Sequence, residues 1–183
     1  MLCRILVIAP GSTSTKICVY ENEKEIMKET VMYSSTQISK YDRIYDQFQF
    51  RNEDILNTLK KKAVNLNTLN AVVGRGGLLK LEGSEIYRVN KAMIEDLKAG
   101  IQGEHASNLG GIIADSIAAP LNIPAFIVNS VTIDELEDIA RISGMPEITR
   151  KSKFHGLNQK VMAKKYAMSI GKNYLLRDDN RWL

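Results

Sequence analysis

Arg4-Ile5-Leu6-Val7-Ile8-Ala9-Pro10-Gly11-Ser12-Thr13-Ser14-Thr15-Lys16-Ile17-Cys18-Val19-Tyr20 is the stretch that decides the fold. Two apolar runs flank a turn of small and hydroxylated residues, a pattern that predicts two paired strands joined by a tight connection. Small side chains let an anion approach the backbone, hydroxyls and turn amides offer donors, and Lys16 closes the run with a positive charge. Gly11, Ser12, Thr13, Ser14, Thr15 and Lys16 are therefore candidate phosphate-binding residues. The run is not a P-loop, because that motif ends in Gly-Lys-Ser/Thr and opens a helix, whereas this one leads into a second strand. Composition alone equally allows an ordinary Gly/Ser-rich turn. Other motifs have to decide.

Downstream, a third strand is expected over 25–33, after the polar turn Glu21-Asn22-Glu23-Lys24, which makes an N-terminal β-meander. Thr36 is placed as the N-cap of a helix reaching Gln47, and Asn52 as the N-cap of another in which Ile55, Leu56, Leu59 and Ala63 share one face. Ala71-Val72-Val73 reads as a short buried strand ending in Gly74-Arg75-Gly76-Gly77, and 85–89 as a weaker extended segment. Asn90 caps a helix through Leu97, and a helix over 106–119 turns Leu109, Ile112, Ile113 and Ile117 inward. The chain returns as a strand over 123–128, and Asp134 and Glu135 are placed at the start of a further helix. A last amphipathic helix runs from about His155 to Ile170 and stops at Gly171. No internal repeat or low-complexity linker appears, so the expectation is one α/β unit with a mixed sheet.

With 183 residues, 44% hydrophobic and 25% charged, the chain has the composition of a globular domain. Its net charge of +4 is unevenly spread: residues 1–147 hold 16 Lys and Arg against 19 Asp and Glu, and residues 148–183 hold 9 against 2. The C-terminal positives, Arg150, Lys151, Lys153, Lys160, Lys164, Lys165 and Lys172, are read as a solvated helix face, and no nucleic-acid partner is expected. Cys3 and Cys18 lie in apolar runs without ligand spacing, which fits a reducing cytoplasm. The first apolar run is short and breaks at Pro10-Gly11, unlike a signal peptide. The richest apolar window, 110–128, contains Asp115, Pro120, Asn122 and Pro124, so no membrane span is expected.

Four further stretches narrow the function: Val73-Gly74-Arg75-Gly76-Gly77-Leu78-Leu79, Gly103-Glu104-His105-Ala106-Ser107-Asn108-Leu109-Gly110, Asn122-Ile123-Pro124-Ala125-Phe126-Ile127-Val128 and Arg150-Lys151-Ser152-Lys153-Phe154-His155. In this order, behind the opening hairpin, they resemble the butyrate kinases. These are relatives of acetate kinase within the acetate and sugar kinase, Hsc70 and actin superfamily. The resemblance covers residues 4 to about 174. It implies a ribonuclease H-like lobe and transfer of the γ-phosphoryl group of ATP to a short-chain carboxylate, with Mg²⁺, giving an acyl phosphate and ADP. It also implies a second lobe carrying the adenosine pocket. Residues 1–174 correspond to the N-terminal lobe, and 175–183 form a charged tail where the family's second lobe begins. The expectation is a lobe inactive alone. The alternatives are half of a split kinase completed by a separate second-lobe polypeptide or homo-oligomer, and a non-catalytic phosphate- or acyl-binding module.

Attack of a carboxylate on ATP brings an anion against a polyanion, so cations and donors are needed where charge gathers. Arg75, in a Gly-flanked loop at a strand end, is a candidate to hold the acyl carboxylate with its planar fork, the plain alternative being a salt bridge to a nearby acid. His155 matches the histidine of the family's Phe-His-Gly motif, which implies contact with the transferring phosphoryl group. Phe154 would line the acyl pocket, and Gly74 would leave room for a chain longer than acetate. His105 and Asn108 are read as loop-holding or helix-capping residues. Two positions depart from the family. Ala9 stands where most relatives carry asparagine, and Asn129, the third catalytic candidate with Arg75 and His155, stands where the family has an aspartate organising Mg²⁺. A neutral amide is a poorer partner for a hard dication. No residue is assigned as a metal ligand.

Overall fold

Strand β1 (Arg4–Pro10) pairs antiparallel with β2 (Ser14–Glu21), which pairs antiparallel with β3 (Lys24–Met32), so the expected meander is present. The computed structural model describes residues 2–81, 83, 85–128, 130–152 and 155–173. Beyond β1 come β4 (Ala71–Arg75) and β6 (Ala125–Val128), both parallel to it, and then β5 (Ile86–Arg88), antiparallel to β6. The result is one mixed sheet of six strands in the order β3-β2-β1-β4-β6-β5.

Period-two alternation decides which face is covered. Leu6, Ile8, Ile17, Val19 and Val72 are fully buried under helices α2 (Phe48–Lys61) and α4 (Asn108–Ala118). The alternate residues Ile5, Val7, Cys18, Val73 and Phe126 face the other way and are only partly buried. Each full burial of such an aliphatic side chain contributes about 1.5–3 kcal/mol, so the α2/α4 layer carries most of the hydrophobic stabilisation. Helix α4 meets the sheet with Leu109, Ile113 and Ile117 inward, as its periodicity predicts, and α3 (Lys91–Ala99) packs beside it, capped by the Asn90 side chain accepting from the Met93 amide.

Four expectations differ from the structure. In place of a helix over 36–47, Ser34 caps a single turn, α1 (Ser35–Ile38), through a capping box with Gln37, and a 3-10 turn over Tyr45–Gln47 leads directly into α2. The interruption has a cause: the Ile44 amide donates to the Glu104 carboxylate rather than to a carbonyl one turn back. Helix α2 therefore starts before Asn52, and it ends before Ala63, which is exposed and left-handed at φ 55°. Asp134 and Glu135 do not open a helix. They lie in an irregular stretch, with Asp134 paired to Arg141 and Glu135 to Lys160. The last helix, α5 (Gly156–Ser169), forms and stops before a left-handed Gly171 as expected, but it shows no buried stripe; Met162, Tyr166 and Met168 are exposed. No described helix is long and apolar enough to cross a membrane.

Candidate active site

Three parallel strands, β1, β4 and β6, end at the same edge of the sheet: Ile8 lies opposite Gly74, and Arg75 opposite Val128. The crevice outside the carboxyl ends of parallel strands is where open α/β sheets hold ligands. Two sequence-predicted groups, the hairpin and Arg75, are thereby brought to one edge.

The hairpin turn is closed by the Gly11 amide donating to the Ser14 carbonyl at 2.7 Å. Ser12 and Thr13 project to solvent, Gly11 and Ser14 are half-buried, and Lys16 is exposed on the sheet face away from the helices. Thr15 requires a correction. Its side chain is fully buried, and its hydroxyl sits between the Tyr33 hydroxyl at 3.1 Å and the Arg51 guanidinium at 3.4 Å. It supports the hairpin from within and presents no donor to a ligand outside.

Arg51 is the residue that sequence reasoning missed. It is 0% exposed, its guanidinium donates to the carbonyls of Gly11 (2.8 Å) and Ser12 (3.0 Å) and to Gln47 Oε1 (3.0 and 2.8 Å), and it stacks over Tyr33 at 4.4 Å from the ring centre. Burial pushes the Arg51 guanidinium pKa down and the Tyr33 phenol up. A signal existed in the sequence: Arg51, Ile55 and Leu59 recur at the four-residue spacing of one helix face, which puts the arginine on the inward stripe.

Arg75 leaves the end of β4 half-buried, and its Nη2 lies 2.8 Å from Nε2 of His155, eighty positions along the chain. The loop that follows is fixed from three sides. The Gly76 amide donates to the Val128 carbonyl at 2.7 Å, and Asn108 accepts from the Leu78 amide and donates to the Gly103 carbonyl, both at 2.9 Å. Ser130, buried, donates to the Gly77 carbonyl at 2.7 Å, and Thr132 to that of Leu79 at 2.6 Å. The polar run after β6 thus clamps the loop that carries Arg75. His105 Nδ1 bonds the Ser107 hydroxyl at 2.8 Å and also accepts from the Ser107 amide. His105 and Asn108 therefore hold the entry to α4 as loop ties, not as side-chain N-caps.

Gly74 has a packing reason of its own. A Cβ there would meet the Gly110 carbonyl oxygen at 2.2 Å, and a Cβ on Gly110 would meet the Arg75 carbonyl oxygen at the same distance. The two glycines let β4 and α4 touch backbone to backbone. Phe154 and Asn129 lie outside the described residues. Among the described residues no group of three or more His, Cys, Asp or Glu side chains is arranged to hold a metal ion.

Comparison with known proteins gives the chemistry a direction. No family model matches the chain. It is 60% identical over 174 residues to a probable butyrate kinase of Clostridium botulinum, covering 95% of this chain and 49% of that protein. It is 57% identical over 171 residues to butyrate kinase 1 of Clostridium acetobutylicum, covering 93% and 48%. The chain spans about half the length of the curated relatives it matches. Its fold is similar to that of an acetate kinase of Porphyromonas gingivalis (TM-score 0.65, 16% identity, 94% of this chain and 50% of that one). A propionate kinase of Francisella tularensis is also similar (TM-score 0.58, 16% identity, 93% and 50%). This α/β lobe is a homologue of the butyrate kinases, matching one half of them over almost its whole length.

Proposed function

We propose that this chain supplies the carboxylate- and phosphoryl-binding lobe of a butyrate kinase. In that reaction a carboxylate oxygen of butanoate attacks the γ-phosphorus of ATP, the bond from that phosphorus to the β-phosphate bridging oxygen breaks, and butanoyl phosphate and ADP leave. The observation that carries the reading is the Arg75–His155 contact at the sheet edge where the hairpin also ends. Arginine only donates, so His155 Nε2 accepts, and among the described residues all but one of the Arg75 N–H groups remain for substrate oxygens. The guanidinium holds the attacking carboxylate in its fork, and the amides and hydroxyls of Ser12 and Thr13 receive the phosphates. The chemistry is then mostly positioning and charge stabilisation.

Mg²⁺ serves the family by neutralising phosphate charge. Among the described residues no three or more His, Cys, Asp or Glu side chains gather to hold it. The adenosine pocket and turnover are assigned to the half of the relatives that this chain does not match.

The test is hydroxamate trapping of acyl phosphate from ATP and butyrate. The isolated chain gives no product above a blank. A chimaera of residues 1–173 with the other half of a matched butyrate kinase gives product that His155→Ala and Arg75→Ala each abolish. A chimaera that binds butyrate and ATP but never turns over would favour the non-catalytic binding module.

A further inference from the structure

A fully buried arginine beneath the hairpin has no part in the chemistry described so far. Among the described residues its partners are two main-chain carbonyls, the Gln47 amide oxygen and the Thr15 hydroxyl, and no carboxylate lies within ion-pair distance of it. Burying a cation without a counter-ion is costly, so its retention calls for a compensating role. The geometry provides one. The Gly11 carbonyl shares a peptide with the Ser12 amide, and the Ser12 carbonyl shares one with the Thr13 amide. In a trans peptide N–H and C=O point opposite ways. Drawing both carbonyls inward to one guanidinium therefore turns both amides outward, and neither amide donates a hydrogen bond among the described residues.

We propose that Arg51 is the positioning residue of the phosphate hairpin: it fixes the Ser12 and Thr13 amides toward the crevice and lends the turn a positive charge that no carboxylate among the described residues neutralises. Tyr33 completes the cradle, with its ring under the guanidinium at 4.4 Å, its amide on the Thr13 carbonyl at 2.9 Å and its hydroxyl on Thr15. The inference rests on the phosphate reading of the hairpin given above. It adds that the anion site is built from α2 as well as from the turn.

The experiment titrates the full chain with inorganic tripolyphosphate and follows the ¹⁵N–¹H resonances of Ser12 and Thr13, alongside thermal unfolding. In the parent, both amides shift and saturate. Arg51→Met, folded by circular dichroism, binds tripolyphosphate roughly tenfold or more weakly, as expected for loss of a charge-assisted network. Gln47→Glu preserves the shape and the contact to the guanidinium but sets a negative charge against it. It weakens binding several-fold while leaving the Ser12 and Thr13 resonances of the free protein close to those of the parent. A merely structural arginine would lower the melting temperature and leave the affinity of the folded protein unchanged, and unchanged affinity in both variants overturns the proposal. If Arg51→Met does not fold, Gln47→Glu decides alone. If the parent hairpin does not respond to tripolyphosphate, the phosphate reading itself falls and takes this inference with it. A responding parent with indifferent variants sinks only the role of Arg51.

Discussion

Nη2 of Arg75 and Nε2 of His155 stand 2.8 Å apart, joining the end of the fourth strand to the start of the last helix. Because guanidinium has no acceptor, this contact exists only while Nε2 carries a lone pair. The neutral ring then holds its proton on Nδ1. His155 fixes the plane of the Arg75 fork, and Arg75 selects the tautomer of His155.

The tautomer is directly measurable. In ¹⁵N spectra of the chain near neutral pH, Nε2 of His155 is expected at the shift of an unprotonated nitrogen and Nδ1 at that of a protonated one. Arg75→Ala removes the donor and lets the tautomers mix. A parent protein with its proton on Nε2 would show that the two side chains are not paired as described.

The closest approach of strand and helix gives a stability prediction. Gly74→Ala and Gly110→Ala each force a methyl group into opposing main chain at 2.2 Å, where no side-chain rotation can relieve the clash. Each should cost about 1–3 kcal/mol or more in urea unfolding, the range for overpacking a close contact. Gly144→Ala meets nothing within 4 Å and serves as the control. Equal midpoints for all three proteins would refute the backbone-to-backbone packing.

These contacts also mark what could be read in advance. The meander, the buried face of α4, the Asn90 cap and the Gly171 stop were legible because each rests on local chemistry: alternation, helical periodicity, a capping amide, a left-handed glycine. The break in the helix expected over 36–47 was not, because the Glu104 carboxylate that diverts the Ile44 amide lies sixty residues away. Arg75 and His155 were legible as separate candidates, their contact was not. Sequence shows Gly74 only as a small residue at a strand end, not that it faces Gly110, and Thr15 only as a hydroxyl in a turn, not that it faces Tyr33 and Arg51. In each case the residue type was informative, but its direction depended on long-range packing.

Glu104 gives a pH-dependent prediction. The Ile44 amide first, and Arg43 second, hold its carboxyl below the usual carboxylate range. The unfolded chain keeps an ordinary glutamate near about 4.3. Its contribution is therefore complete above that value and is lost as pH falls through the lower folded value. Glu104→Gln should lose a few tenths to about 1 kcal/mol at neutral pH, a figure discounted for the exposure of the pair. The gap between variant and parent should close on acidification below about pH 4. A gap that widens with acid would assign the effect to the amide side chain instead.

The last prediction concerns Asn129 and Ala9, the two departures from the resemblance to butyrate kinases. Asn129 lies outside the described residues; a hard dication prefers carboxylate oxygen, and an amide in that position weakens its hold. In the chimaera described above, Asn129→Asp should raise kcat by roughly tenfold to a thousandfold, the scale on which single electrostatic elements act in phosphoryl transfer. The gain should grow as Mg²⁺ is lowered. Ala9, half-buried in β1 opposite Lys16, is close to the hairpin but presents no donor. Ala9→Asn should give a smaller gain that does not depend on Mg²⁺ concentration. An unmodified chimaera as active as the parent butyrate kinase would show that both residues are tolerated variants and would remove this account of them.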